Sequence, residues 1–250
     1  MNPIRPTTLI AWLFLVSIAL GQDSSNIITD RPSVTNTPET VPKGMIQVEN
    51  GLRATADQGQ TTVTFPETLV RVGVLSSTEV RLTAPAYSHD ATTSSGVRSG
   101  FSDFALGVQQ RLYKSEQCAI AVILTFNPPT GSAAISGPHY EGSVQIPWSV
   151  QPSKNWTVAG MLSVYSRSPN GLYKTTGQST FEVDRKIRSW DVFGEYVGNF
   201  PAAGSPQHGV RSGVMYDITS NQQLDFSIAV GLSVAALNHS VGFGYSFRFR

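Results

Sequence analysis

Residues 223–234 read QLDFSIAVGLSV. Leu224, Phe226, Ile228, Val230, Leu232 and Val234 occupy the even positions, with Gln223, Asp225, Ser227, Ala229, Gly231 and Ser233 between them. Residues 240–250, SVGFGYSFRFR, repeat the pattern: Val241, Phe243, Tyr245, Phe247 and Phe249 alternate with Ser240, Gly242, Gly244, Ser246, Arg248 and Arg250. Strict period-two alternation is the signature of a strand with one apolar face. The length is as informative as the period. Strands of soluble domains run about 5–6 residues, whereas a tilted membrane-spanning strand needs about 9–11.

The template recurs upstream. Ile46, Val48 and Leu52 alternate with Gln47, Glu49, Gly51 and Arg53. Further segments run through Val70–Val74, Val80–Leu82, Phe104–Leu112, Ile120–Phe126, Val144–Val150, Trp156–Val164, Trp190–Tyr196 and Val210–Ile218, with a weaker one at Thr180–Lys186. These make about twelve candidate strands, within a range of 10–14, between Met45 and Arg250. Tight turns fall at 114–116, 152–154 and 220–222, and longer Gly/Pro/Ser/Thr stretches at 84–100, 127–141, 166–179 and 199–208. Short turns at one end and long loops at the other, with aromatics near strand ends, describe an antiparallel transmembrane β-barrel. A soluble sandwich would carry many charges on its polar face. Only 14% of this chain is charged, and the polar face is mostly Gly, Ser and Gln.

Composition excludes other classes. The chain of 250 residues is 40% hydrophobic and 10% aromatic, which a disordered chain is not. No 18-residue apolar run follows the first twenty residues, so a helical membrane protein is excluded too. Residues 1–21 read as a signal peptide: Arg5, an apolar run from Leu9 to Leu20, then a small-residue site for a cut before Gln22. Loss of Arg5 leaves 17 basic and 17 acidic residues, a balance that does not suit nucleic acid. Cys118 is the sole cysteine, so no intramolecular disulfide forms. Residues 22–44 are polar, carry Pro32, Pro38 and Pro42, and are expected to be a leader without strand structure. The expected organisation is a signal peptide at 1–21, a leader that plugs the pore or lines its periplasmic mouth at 22–44, and a barrel at 45–250.

The leader also carries a spaced string: Thr29-Asp30-Arg31-Pro32, Thr35, Pro38, Val41-Pro42, Gly44, Gln47 and Glu49. It resembles the opening of the outer-membrane family labelled MetA-pathway of phenol degradation. Leu69-x-Arg71-x-Gly73, Glu79-x-Arg81, Gly100-x-Ser102-Asp103-x-x-x-Gly107 and the closing Val241-Gly242-x-Gly244-Tyr245 look similar to later strands of that family. The resemblance implies a barrel in the outer membrane of a Gram-negative-type envelope, surrounded by outer-membrane lipid and inserted by the barrel-assembly machinery. One departure is the end, Phe249-Arg250, where outer-membrane proteins commonly finish on an aromatic.

If the apolar set faces lipid, the alternate set faces the lumen. The expected lumen acids are Glu49, Glu79, Asp103, Asp191, Glu195, Asp217 and Asp225; the expected bases are Arg53, Arg71, Arg81, Arg111, Arg211 and Arg248. All six bases are arginine, whose planar fork suits bidentate pairing with carboxylates. These charges either line a polar path or pair with one another and with Asp30-Arg31 of the leader. An enzyme finds little support. His89, His139 and His208 fall in loop-like stretches, and His239 and Ser240 point to opposite faces of one strand. No metal-ligand spacing or cofactor motif occurs. The expected role is passive passage or uptake of small, apolar or aromatic solutes. The alternative is a closed, non-conducting structural barrel of the envelope, and the remote alternative a lipid hydrolase.

Overall fold

In the computed structural model, the described residues are 25–57, 59–92, 96–168 and 171–250, and every regular element among them is a strand. The signal-peptide reading lies outside them. The elements are β1 (Ile46–Asp57), β2 (Gln60–Leu75), β3 (Thr78–Thr83), β4 (Tyr87–Thr92), β5 (Gly96–Phe101), β6 (Ala105–Lys114) and β7 (Cys118–Asn127). They continue as β8 (Glu141–Ser153), β9 (Trp156–Arg167), β10 (Lys174–Ile187), β11 (Trp190–Pro201), β12 (Gln207–Thr219), β13 (Gln222–Gly231) and β14 (His239–Phe249).

All neighbours are antiparallel, and β1 pairs with both β14 and β2, which closes the sheet. Two wall strands are interrupted. β2 pairs with β3 through Leu69–Leu75 and with β4 through Gln60–Phe65, so β3 and β4 form one strand broken at 84–86. β6 and β5 continue them as the next strand, broken at 102–104. Among the described residues the wall therefore has the twelve strands that the alternation predicts. The expected long loop at 84–100 is corrected: most of it is β4 and β5. The stretch at 166–179 is also shorter than expected, because β10 begins at Lys174 and pairs along its length with β9 and β11.

The sheet is inside out relative to a water-soluble protein. Val108, Leu124, Leu162, Ile228 and Phe243 on the outer face are 45, 54, 58, 49 and 52% exposed. Gln47, Glu49, Arg71, Gln109 and Asp225 on the inner face are at 1, 0, 0, 0 and 2%. Apolar residues outside and buried polar residues inside is the arrangement a bilayer demands. Aromatics gather at both ends of the outer face. Trp190 and Tyr216 pack at 4.7 Å near the short turns, while Phe126 and Tyr140 stack at 5.5 Å near the long loops.

The lumen has two characters. β7, β8 and β9 present Ala119, Ala121, Ile123, Pro147, Ala159 and Met161, all buried. β10, β11, β13, β14, β1, β2, β3 and β6 present the buried charged and amide side chains. Among the described residues no strand lies in the space between them; the leader does.

Candidate functional site: the leader in the lumen

Three prolines keep the leader out of the sheet ladder, so its backbone N–H groups need other acceptors once buried. The wall supplies carboxylates. The leader comes in beside the β12–β13 turn, where Ile27 N donates to Ser220 O at 2.7 Å, Asn26 Nδ2 to Asp217 Oδ2 at 3.0 Å, and Arg248 Nη2 to Ser25 O at 2.6 Å. Next, Asp30 N and Arg31 N both donate to Glu49 Oε2, at 3.0 and 3.1 Å. At the apex, Glu195 accepts from Val34 N at 3.0 Å, Thr35 N at 2.7 Å and Thr35 Oγ1 at 2.7 Å. Asn36 Nδ2 then reaches Gln145 Oε1 on β8 at 2.8 Å. The chain turns back: Glu39 Oε2 accepts from Arg111 Nη1 and Lys114 Nζ at 3.1 and 2.8 Å, and Val41 N donates to Glu79 Oε2 at 2.7 Å. The leader thus crosses the lumen from wall to wall and returns to the end it came from.

Its base is a charge network. Arg71 is fully buried and sits among Glu79, Glu49 and Asp30 at 2.8, 3.2 and 3.6 Å. Arg81 pairs with Glu79 at 2.9 Å and with Asp30. Arg31 reaches Glu67 at 3.1 Å and Asp225 at 3.3 Å. Gly51 and Gly244 face each other across β1 and β14, and a Cβ at either would land on the Arg31 guanidinium. A Cβ at Gly73 would likewise collide with the Val41 and Pro42 carbonyls. These lumen-facing glycines let the leader lie directly on the wall.

Every base expected in the lumen lies on an inner-face position except that Arg53 is half-exposed near the long-loop end, 3.3 Å from Glu67. Arg211 holds Pro32 O at 3.1 Å and lies 3.8 Å from Glu195, while Asp191 and Asp217 share Lys186 at 3.5 and 3.0 Å. Asp103 is not in a strand: it sits in the 102–104 interruption and accepts from Thr130 N and Gly131 N at 2.7 and 2.6 Å. Sequence reasoning missed Glu67, Gln109, Glu182, Asp184, Lys186 and the leader's Glu39. Alternation around Thr180–Lys186 was the available signal for the β10 group.

Asp30 is the leader's own carboxylate in this network. Burial alone would raise its carboxyl, but the Arg81 and Arg71 guanidiniums beside it prevail and hold it below the usual value of 3.8. A detached leader therefore binds the proton first as the solution is acidified. The stabilisation that Asp30 gives to docking is complete above pH 3.8 and is lost as pH falls through the docked value. Protease accessibility of residues 25–44 should rise over that acid range, and Asp30→Asn should make that rise smaller. Equal acid response in both proteins would contradict the assignment.

Above the leader, toward the long loops, lies a cavity of about 680 Å3. Asn36 and Arg81 form its floor, Tyr165 and Arg167 one side, and Asp103 and Ile135 the other. An amide and hydroxyl chain runs around the wall: Gln145 Nε2 to Tyr165 OH at 2.9 Å, Tyr165 OH to Gln178 Oε1 at 3.1 Å, Gln178 Nε2 to Asn199 Oδ1 at 2.8 Å. The Arg167 guanidinium lies 4.8 Å over the Tyr165 ring. The volume is within the usual range of roughly 300–1,000 Å3 for a small-molecule site.

Comparison with known proteins agrees with this architecture. The model of the family described as "Putative MetA-pathway of phenol degradation" matches residues 29–249. Among solved structures, the KdgM porin superposes with a TM-score of 0.55 at 9% identity, covering 81% of this chain and 99% of its own. The β domain of the Bordetella autotransporter BrkA gives 0.55 at 13% identity, covering 82% and 98%. The translocator domain of NalP from Neisseria meningitidis gives 0.51 at 11%, covering 82% and 87%. At these identities the likeness shows the fold, that of outer-membrane barrels. No curated protein matches the chain in sequence.

Proposed function

The chain belongs to the family described as that MetA pathway of phenol degradation, and from that premise we propose that it is a plugged outer-membrane channel for passive uptake of small amphipathic solutes. The short-turn end faces the periplasm and the long-loop end faces outward, the usual orientation of such barrels. The observation that carries the reading is a leader wedged across the lumen beneath a cavity of about 680 Å3. Solute collects in the cavity, and movement of the leader opens the way below it. The cavity mixes Leu69, Ala105 and Ile135 with Tyr165, Gln145 and Arg167, which suits a small ring bearing hydroxyl groups. The family description, with its phenolic chemistry, points the same way.

A second reading is a closed structural barrel. It draws support from wall-to-wall pairs such as Arg71–Glu79 and Arg71–Glu49, which persist whatever the leader does. The two readings separate in a liposome-swelling assay with arbutin, a small phenolic glucoside that does not cross lipid unaided. The channel reading expects swelling from the mature chain, faster when the leader is loosened by Arg71→Ala. No swelling from either folded protein would leave the structural barrel.

A further inference from the structure

We propose that an apolar solute passes sideways between the cavity and the outer leaflet, through a break in the wall beside β5 that segment 128–137 gates. This inference rests on the channel reading above and adds the route and the solute class. Below the break the wall is continuous: β6 and β7 pair from Leu106↔Phe126 to Lys114↔Ala119. Above it, among the described residues, β5 pairs with β4 alone, and the sheet order ends there. A membrane barrel normally closes every edge, because unpaired backbone groups are costly in lipid. Here the edge is covered by a loop instead of a strand.

That loop is held by few bonds. Ser132 N donates to Phe101 O at 2.8 Å, and Phe101 N donates back to Ser132 Oγ at 2.9 Å. Phe104 N donates to Thr130 Oγ1 at 3.2 Å. Asp103 Oδ1 takes both Thr130 N and Gly131 N. Glycine makes the close seam possible: a Cβ at Gly100 would lie 2.6 Å from that of Ser132.

The seam is also the cavity wall. Ser102 and Asp103 of the interruption, and Ile135, Ser136 and Gly137 of the loop, all line the cavity. On the outer face, aromatic pairs flank the break: Tyr87 with Phe101 at 5.4 Å on one side, Phe126 with Tyr140 at 5.5 Å on the other. Phe101, Phe126 and Tyr140 are 52, 49 and 59% exposed. Aromatics at a barrel rim mark the membrane interface, so a retreat of the loop would connect the cavity with the lipid boundary. A polar solute gains nothing from that exit; an apolar one gains the free energy of leaving water.

The test is a reversible lock. In the full mature chain carrying Cys118→Ser, and Ser132→Gly to make room for a Cβ at position 100, Gly100→Cys and Ile135→Cys would be joined across the seam; a Cβ at Gly100 would lie 3.3 Å from Ile135 Cγ1, so the two thiols are within reach. The probe is N-phenyl-1-naphthylamine, an apolar aromatic amine that fluoresces on reaching lipid, added to cells displaying the protein. Oxidation should reduce its uptake to the level of cells without the protein, and reduction should restore it. Asp103→Ala, which frees Thr130 and Gly131, should raise uptake with no oxidant present. Uptake indifferent to the lock and to Asp103→Ala, with arbutin swelling intact, would overturn the lateral route alone. Loss of arbutin swelling in every variant would overturn the channel reading, and this route with it.

Discussion

Arg71→Ala should free the base of the leader while the barrel stays closed. The guanidinium donates to Glu79 Oε1 at 2.8 Å, Glu79 Oε2 at 3.1 Å and Glu49 Oε1 at 3.2 Å, and it also holds the Ile28 and Glu39 carbonyls at 3.3 and 2.7 Å. It therefore ties both arms of the leader to β1 and β3. Removing one partner from a buried ion pair costs about 3–5 kcal/mol, because the remaining charges stay buried and uncompensated. Here Glu49 would lose its cation and Glu79 would keep only Arg81. Detachment of the leader admits water to those charges more readily than a rearranged wall does. Residues 25–44 should become protease-sensitive and the barrel's melting temperature should fall. Arg71→Lys should recover only part of the loss, since an ammonium cannot span the same set of acceptors. An Arg71→Ala protein with a protected leader and unchanged melting would show that the network is not what holds the leader.

Glu195→Ala should release the apex and leave the base attached. This carboxylate accepts the N–H groups of Val34 and Thr35 and the Thr35 hydroxyl, and Thr35 Oγ1 also lies 2.6 Å from Thr180 Oγ1. Without it, buried donors lose their acceptor, at about 1–3 kcal/mol for each unsatisfied group. Asn36, beyond the apex, would lose its register with Gln145, and the cavity floor would open. The expected electrical signature is rapid flicker, because Arg71, Glu49 and Glu79 still tether the base. Glu195→Gln keeps one acceptor oxygen and should flicker less. Traces from Glu195→Ala that match the parent protein would remove the apex from the account.

The barrel was legible in the sequence because lipid imposes the alternation on every wall strand. Leu224 to Val234 shows it plainly. β10 is faint because only Phe181 and Val183 are strongly apolar on the outer face of its lower half, between Ser179 and Arg185. Its place is set by pairing with β9 and β11, which is non-local. β4 and β5 are illegible for another reason. They run outward from the interface aromatics Tyr87 and Phe101, and beyond that pair neither face must be wholly apolar, so Ser88, Asp90 and Ser99 mask the period. The lumen charges could be named from their alternate positions. Their partners could not, because Asp30, Arg31 and Glu39 reach them from a segment with no period at all. Gly51 and Gly73 were visible as strand glycines, but the leader lying against them is what explains the missing side chains.

The central claim, that the leader is the closure of the lumen, is tested most directly by single-channel conductance in a planar bilayer. Residues 22–250 and residues 45–250 would be refolded and compared under the same voltage and salt. The account predicts long closed periods for the longer chain and steady, reproducible open steps for the shorter one. Equal conductance from both would contradict it, and silence from a folded 45–250 barrel would contradict it and place the closure in the wall itself.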